Sequence, residues 1–238
     1  MKRLKGLIVV VVLLISVSIP YQVINGKMSF ITSHGASSFA EDLYNQLNLE
    51  QTGLDYKVFS TAMSGHQKLV YDNKISASNI ITIVDLSQPS TNKRLYIIDL
   101  ATQKILFHTY VSHGKNSGEL YATNFSNIPS SLQSSLGFYV TGDVYNGKHG
   151  LSLKLLGQEP GFNDEALDRA IVVHGANYVS EDFIKNTGRL GRSFGCPAVA
   201  SELATPIINT IQNGSCLFVY YPDPTYFKKS LLASNKIY

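Results

Sequence analysis

Two side chains in a single stretch of this chain could make and break acyl bonds. From Ile171 to Ala198 the sequence reads IVVHGANYVSEDFIKNTGRLGRSFGCPA. It contains His174 and Cys196. A cysteine attacks as its thiolate, and a free thiol has a pKa of about 8.5 that falls beside an imidazolium. The chemistry expected of the pair is therefore that His174 takes the proton and Cys196 attacks an acyl carbon. Gly188, Gly191 and Gly195 fall within eight residues. They let the backbone take positive φ and approach a ligand closely. The amides of Gly195 and Cys196 are then candidate donors to an oxyanion. On pattern alone, a glycine-rich turn around a buried free cysteine reads equally well.

The elements around these residues must bring them together. Ile171 to Val173 close a short apolar strand spanning 170–173, which ends at His174-Gly175. Ser180 is placed to cap a short helix that Gly188 closes. Further strands are expected at 80–84, 95–98, 105–111, 136–141, 151–156 and 216–221, where β-branched and aromatic residues lie between turn clusters. A helix over 201–212 has Ser201 as a candidate N-cap and Asn213-Gly214 as its stop. Upstream, Ser38 could cap a helix through Leu43, Leu47 and Leu49, and a second helical pattern runs from Leu54 to Asn73. The expectation is a mainly β domain with an inserted or flanking helix, preceded by a helical hairpin.

Charge and composition narrow the function. The 238 residues carry a formal charge of +3, and 44% are hydrophobic, enough for a packed core. The excess charge sits at Lys2, Arg3 and Lys5. From residue 27 onward 17 Lys+Arg face 17 Asp+Glu. A nucleic-acid binder needs a basic stripe on its folded domain, so that class is excluded. The basic start leads into a largely apolar run, Leu7 to Ile19, followed by Pro20. This is the pattern of a secretory signal, short for a membrane span. Residues 1–26 are read as a signal peptide, inserted in the membrane during export, or as an anchor. The other expected divisions are a helical segment over 27–78, a catalytic domain over 79–222 and a tail over 223–238. An exported chain with two cysteines, Cys196 and Cys216, could join them in a disulfide.

Other motifs are less specific. His108, His113 and His149 could ligate zinc, but no His-Glu-x-x-His or Cys-x-x-Cys accompanies them, so metal is not expected. The turns His113 to Gly118 and Tyr145 to Gly150 are glycine-rich, yet neither Gly-Lys is followed by Ser or Thr, which disfavours a phosphate loop. Their alternatives are plain turn chemistry or the walls of a substrate cleft. In the second case Tyr139 and His149 are the expected wall residues.

The segment resembles the signature of the L,D-transpeptidase catalytic domain (YkuD-like) family: a His-Gly, an intervening stretch, then Ser or Thr, His, Gly, Cys. Here His174-Gly175 leads to Ser193-Phe194-Gly195-Cys196, with 18 residues between His174 and Ser193. Phe194 stands where many members have histidine. Pro197-Ala198 stand where many carry a basic or polar residue, so Arg189 or Arg192 is the expected source of charge toward a substrate carboxylate. The segments LYIIDLATQKILFHTYVSHGKNSGE, SSLGFYVTGDVYNGKHG and RLGRSFGCPA resemble the murein L,D-transpeptidase branch over about residues 79–222.

The resemblance implies a β-sandwich-like core and an exported enzyme of the bacterial periplasm or cell envelope. It further implies Cys196 as nucleophile, His174 as base, and a loop of Ser193, Phe194 and Gly195 around the oxyanion. Arg189, Arg192, Gly175, Tyr139 and His149 would contact substrate. The implied partners are peptidoglycan stem peptides, with no cofactor. Cys216, on the apolar strand SCLFVYY, then reads as packing, which leaves one reactive thiol. The rivals are an L,D-carboxypeptidase, a sortase-like acyltransferase and a non-catalytic wall-binding module. Sortases need an arginine after the cysteine, and none occurs from Cys196 to Tyr238.

Overall fold

A computed structural model describes residues 21–24, 27–30 and 33–234. Most of the expected leader, residues 1–26, lies outside them. Among the described residues no helix is long and apolar enough to cross a membrane. The chain opens with an antiparallel pair, β1 (Tyr21–Ile24) and β2 (Lys27–Phe30). Two helices follow, α1 (Ser33–Gln46) and α2 (Tyr56–Tyr71). The first begins at Ser33, ahead of the expected Ser38. Its Leu47 and Leu49 positions fall past its end, because Asn48 turns left-handed (φ 50°) into a 3-10 turn. Asp55 caps α2 by accepting from the Lys57 amide at 2.7 Å.

Eight strands build one sheet. They are β3 (Ile80–Asp85), β4 (Leu95–Asp99), β5 (Lys104–Thr109), β6 (Gly137–Gly147), β7 (Gly150–Gly157), β8 (Val172–Ala176), β9 (Ala198–Ala200) and β10 (Cys216–Tyr220). Their spatial order is β5-β4-β3-β10-β6-β7-β8-β9. The β10–β3 and β8–β9 pairs are parallel and the others antiparallel. Just beyond β5, Ser112 bridges to Ala198 of β9, so the two edges meet and the sheet becomes barrel-like. The expected mainly β domain is thus present, as a single curved sheet.

Three helices complete the chain: α3 (Glu181–Thr187), α4 (Ser201–Ile211) and α5 (Pro224–Lys229). Ser180 accepts from the Phe183 amide at 3.1 Å and Gly188 ends α3 at φ 76°, as the sequence predicts. Ser201 does not cap α4. Ala200 holds that place, and Ser201 Oγ instead donates to Asn177 Oδ1 at 2.7 Å. One apolar core joins α1 and α2 to the sheet, running from Leu43 and Phe59 through Ile81 and Tyr96 to Phe218. The upstream hairpin therefore covers the sheet, with α2 lying against β3 and β10.

Candidate active site

β8 delivers the histidine. All five of its residues are buried, as a strand packed on both faces must be. His174 Nδ1 lies 2.9 Å from the Gly175 carbonyl oxygen. A carbonyl only accepts, so Nδ1 carries the hydrogen and Nε2 is left with a lone pair. The ring stacks on His149 with centroids 4.6 Å apart at 26°. His149 belongs to the two-residue turn between β6 and β7, where Gly147 pairs with Gly150.

β9 delivers the cysteine. His174 is in register with Ala198 on the adjacent parallel strand, two residues past Cys196. The approach to β9 is braced from within and from outside. Ser193 Oγ donates to the Cys196 carbonyl at 2.6 Å and accepts from the Gly195 amide at 3.0 Å. The Ser193 amide donates to His113 O at 3.0 Å, and its carbonyl accepts from the Lys115 amide at 2.7 Å. Ser134 Oγ donates to the Gly195 carbonyl at 3.2 Å. Gly195 sits at φ +128°, and a Cβ there would come within 2.8 Å of the Gln133 carbonyl oxygen, so both backbone angle and space require glycine.

The loop brace corrects one expectation. The Gly195 amide, expected as an oxyanion donor, is engaged by Ser193 Oγ. The Cys196 amide is the remaining loop candidate. Ser193 itself is buried and acts as the brace, while Phe194, two residues before Cys196, is 67% exposed.

The half-buried Cys196 thiol donates to the Ala170 carbonyl at 3.7 Å. Burial pushes it above the ordinary thiol value of 9.0, while the Val172 amide, Arg169 and Lys148 pull it back. Burial likewise holds His174 below 6.5, with His149 and Lys148 adding to the depression and the Gly175 hydrogen bond opposing it. Both members of the pair are therefore driven toward their neutral forms. Chemistry open to two neutral groups of this kind is proton transfer from thiol to imidazole during attack, without a resting ion pair.

Three further expectations change. Tyr139 is no cleft wall: it is 1% exposed, packed in the core, with its hydroxyl donating to Ser135 O at 3.0 Å. It lies on β6 between β10 and β7 and belongs to the apolar core. Arg189 and Arg192 are not free side chains aimed at a substrate carboxylate. Both grip one carboxylate, Glu119, at 2.9 and 2.6 Å, and Arg192 also donates to Gly118 O at 3.2 Å. They staple the cysteine loop to the 115–119 loop. Gly175 is fixed by packing, for a Cβ there would lie 3.0 Å from Ala204 Cβ on α4. Cys196 and Cys216 are both free, and Cys216 is fully buried on β10. Among the described residues no cluster of three or more metal-ligating side chains occurs.

Sequence reasoning missed Arg169, Lys148, Ser134 and the Arg94–His113 pair. Arg94 is fully buried and donates to Val111 O at 3.0 Å and to His113 Nδ1 at 2.8 Å, so His113 presents Nε2–H to the Gly118 carbonyl. This pair anchors the loop on which Ser193 rests. Arg169 follows Asp164, Glu165 and Asp168, which suggests a local ion pair, yet its side chain points elsewhere. Lys148 gave a signal in its neighbour His149, already chosen for the cleft.

The model of the L,D-transpeptidase catalytic domain matches residues 50–220. No curated protein matches the chain. Among solved structures it is similar to a helical cell shape determining protein from Campylobacter jejuni, at 18% identity over 74% of this chain and 60% of that one, TM-score 0.39. It is also similar to an L,D-transpeptidase from Mycobacterium smegmatis, at 12% identity over 60% and 59%, TM-score 0.37. A third is L,D-transpeptidase 1 of Mycobacterium tuberculosis, at 12% over 59% and 60%, TM-score 0.34. The chain spans about 60% of the length of each of these three.

Proposed function

Because the chain belongs to the L,D-transpeptidase catalytic domain family, we propose that it is an exported cysteine transpeptidase acting on peptidoglycan stem peptides. The observation that carries this reading is the β8–β9 register. It sets His174, with Nε2 available, one strand from the loop that holds Cys196. The donor is a tetrapeptide stem with a diamino acid at its third position. Cys196 Sγ attacks the carbonyl of that residue as His174 Nε2 takes the thiol proton. The Cys196 amide faces the developing oxyanion. Collapse breaks the peptide bond, and the terminal D-amino acid leaves with the proton from His174. A second stem's amine, or water, then attacks the thioester, gives its proton to His174, and the proton returns to sulfur as the thiolate leaves.

Export is supported by the basic start and the apolar run Leu7 to Ile19, ahead of a part with balanced charge. The site of action is then the cell envelope. The test is to incubate the protein with isolated peptidoglycan beside a Cys196→Ala control and to analyse the muropeptides by mass. New cross-linked or trimmed stems are expected with the wild type only. Identical profiles would overturn both the transpeptidase and the carboxypeptidase readings.

A further inference from the structure

Arg169 is the one arginine packed against the cysteine loop that has no ion-pair partner among the described residues. It sits in the turn just ahead of β8, where its amide donates to Glu165 O at 2.9 Å. Nη1 donates to the Ser126 carbonyl at 2.5 Å and to Ser135 Oγ. Nη2 donates to the Gln133 carbonyl at 2.7 Å and to Ser131 Oγ at 3.2 Å. All four acceptors are neutral, so the hydrogen bonds hold the guanidinium without cancelling its charge. Nη2 lies 3.4 Å from where a Cβ of residue 195 would be, which places the cation against the backbone next to Cys196. The thiol, for its part, touches the carbonyl of Ala170, the residue after Arg169.

We propose that Arg169 is a positioning cation for the nucleophile: held by neutral acceptors against Gly195, it is the counter-charge that the Cys196 thiolate meets as it forms. This rests on the reading of Cys196 as nucleophile. His174 alone is a weak source of stabilisation, since its surroundings hold it neutral. The fields agree in both directions, with Arg169 lowering Cys196 and the thiolate raising Arg169 against the effect of burial. The other charged or titratable groups acting on the thiol are Lys148 from the β6–β7 turn and Tyr178 beyond β8, while His174 lies on the strand beside β9. Tyr139 faces Arg169 from the core. Arg189 and Arg192 are tied to Glu119, and the cations that lower Cys196 are Arg169 and Lys148.

The test is the pH dependence of iodoacetamide alkylation at Cys196 in the full chain, with the labelled peptide identified by mass so that Cys216 is counted apart. In Arg169→Gln the midpoint should rise by about one pH unit, the scale of an opposite charge at close range. Arg169→Lys keeps the charge but not the four-bond fork, and should return the midpoint toward wild type. Ser131→Asp gives Arg169 a permanent carboxylate without removing it, and should also raise the midpoint. If Arg169→Gln does not fold, Ser131→Asp decides alone. An unmoved midpoint in Ser131→Asp, or an equal rise in Arg169→Lys and Arg169→Gln, overturns the proposal. The readout needs no peptidoglycan, so its failure leaves the transpeptidase reading standing, and inactivity on peptidoglycan leaves Arg169 testable.

Discussion

At the scale of residues, the Cys196 thiol and the His174 imidazole, the proposed nucleophile and base, are tuned apart. Burial raises Cys196 and lowers His174, so a resting thiolate–imidazolium pair is disfavoured at neutral pH. A neutral His174 can accept the thiol proton wherever the pH exceeds its lowered value. The acidic limb of kcat/KM should therefore have its midpoint below the ordinary imidazole value of 6.5. A stopped assay on muropeptides from pH 4 to 9 reads it, and a midpoint above 7 would mean that the ion pair forms in the resting enzyme. His174 and Cys196 were legible in the sequence because strand end, glycine loop and cysteine are local signals. The roles of Arg189, Arg192 and Tyr139 were not. Each depends on a group distant in sequence: Glu119 for the arginines, and the neighbouring strands β10 and β7 for the tyrosine.

At the scale of elements, the outer half of β6 and the turn to β7 are largely exposed and carry His149 onto His174. His149 and Lys148 of this hairpin add to the depression that burial imposes on His174. His149→Ala removes the stacked ring and leaves Lys148, so the acidic limb should move part of the way to higher pH while the fold is kept. An unmoved limb would show that the stacking does not reach the proton-transfer step. Strand positions were readable from β-branched runs between turn residues, and the α3 caps from Ser180 and Gly188. The starts of α1 and α4 were not. α1 begins five residues ahead of Ser38, and α4 is entered at Ala200 with no side-chain cap for pattern reading to find at Ser201.

At the scale of the molecule, buried imidazoles make stability depend on pH. His66 on α2 and His113 beneath the cysteine loop are 4% and 1% exposed. Burial holds both down, from 6.5 to about 4, with Arg94 adding at His113. An unfolded chain protonates these rings below 6.5 while the folded one resists until about 4. The stability they lend is full above 6.5 and is lost as the pH falls through that window, about 3 kcal/mol for each ring at the acid end. The melting temperature should accordingly fall from pH 6.5 to pH 4, and less steeply in His66→Leu. A flat profile would contradict the burial of these rings. The closure of the sheet, by contrast, could not be read in advance, because the Ser112–Ala198 bridge joins residues whose partnership only the finished curvature creates. The protonation and burial of the two free thiols also set how the chain meets an oxidant. Oxidation to sulfenic acid and disulfide exchange both begin from the thiolate. With Cys196 held toward its thiol form and Cys216 sealed inside the sheet, both should react slowly with peroxide and with small disulfides, which a timed peroxide treatment followed by mass analysis of each thiol checks.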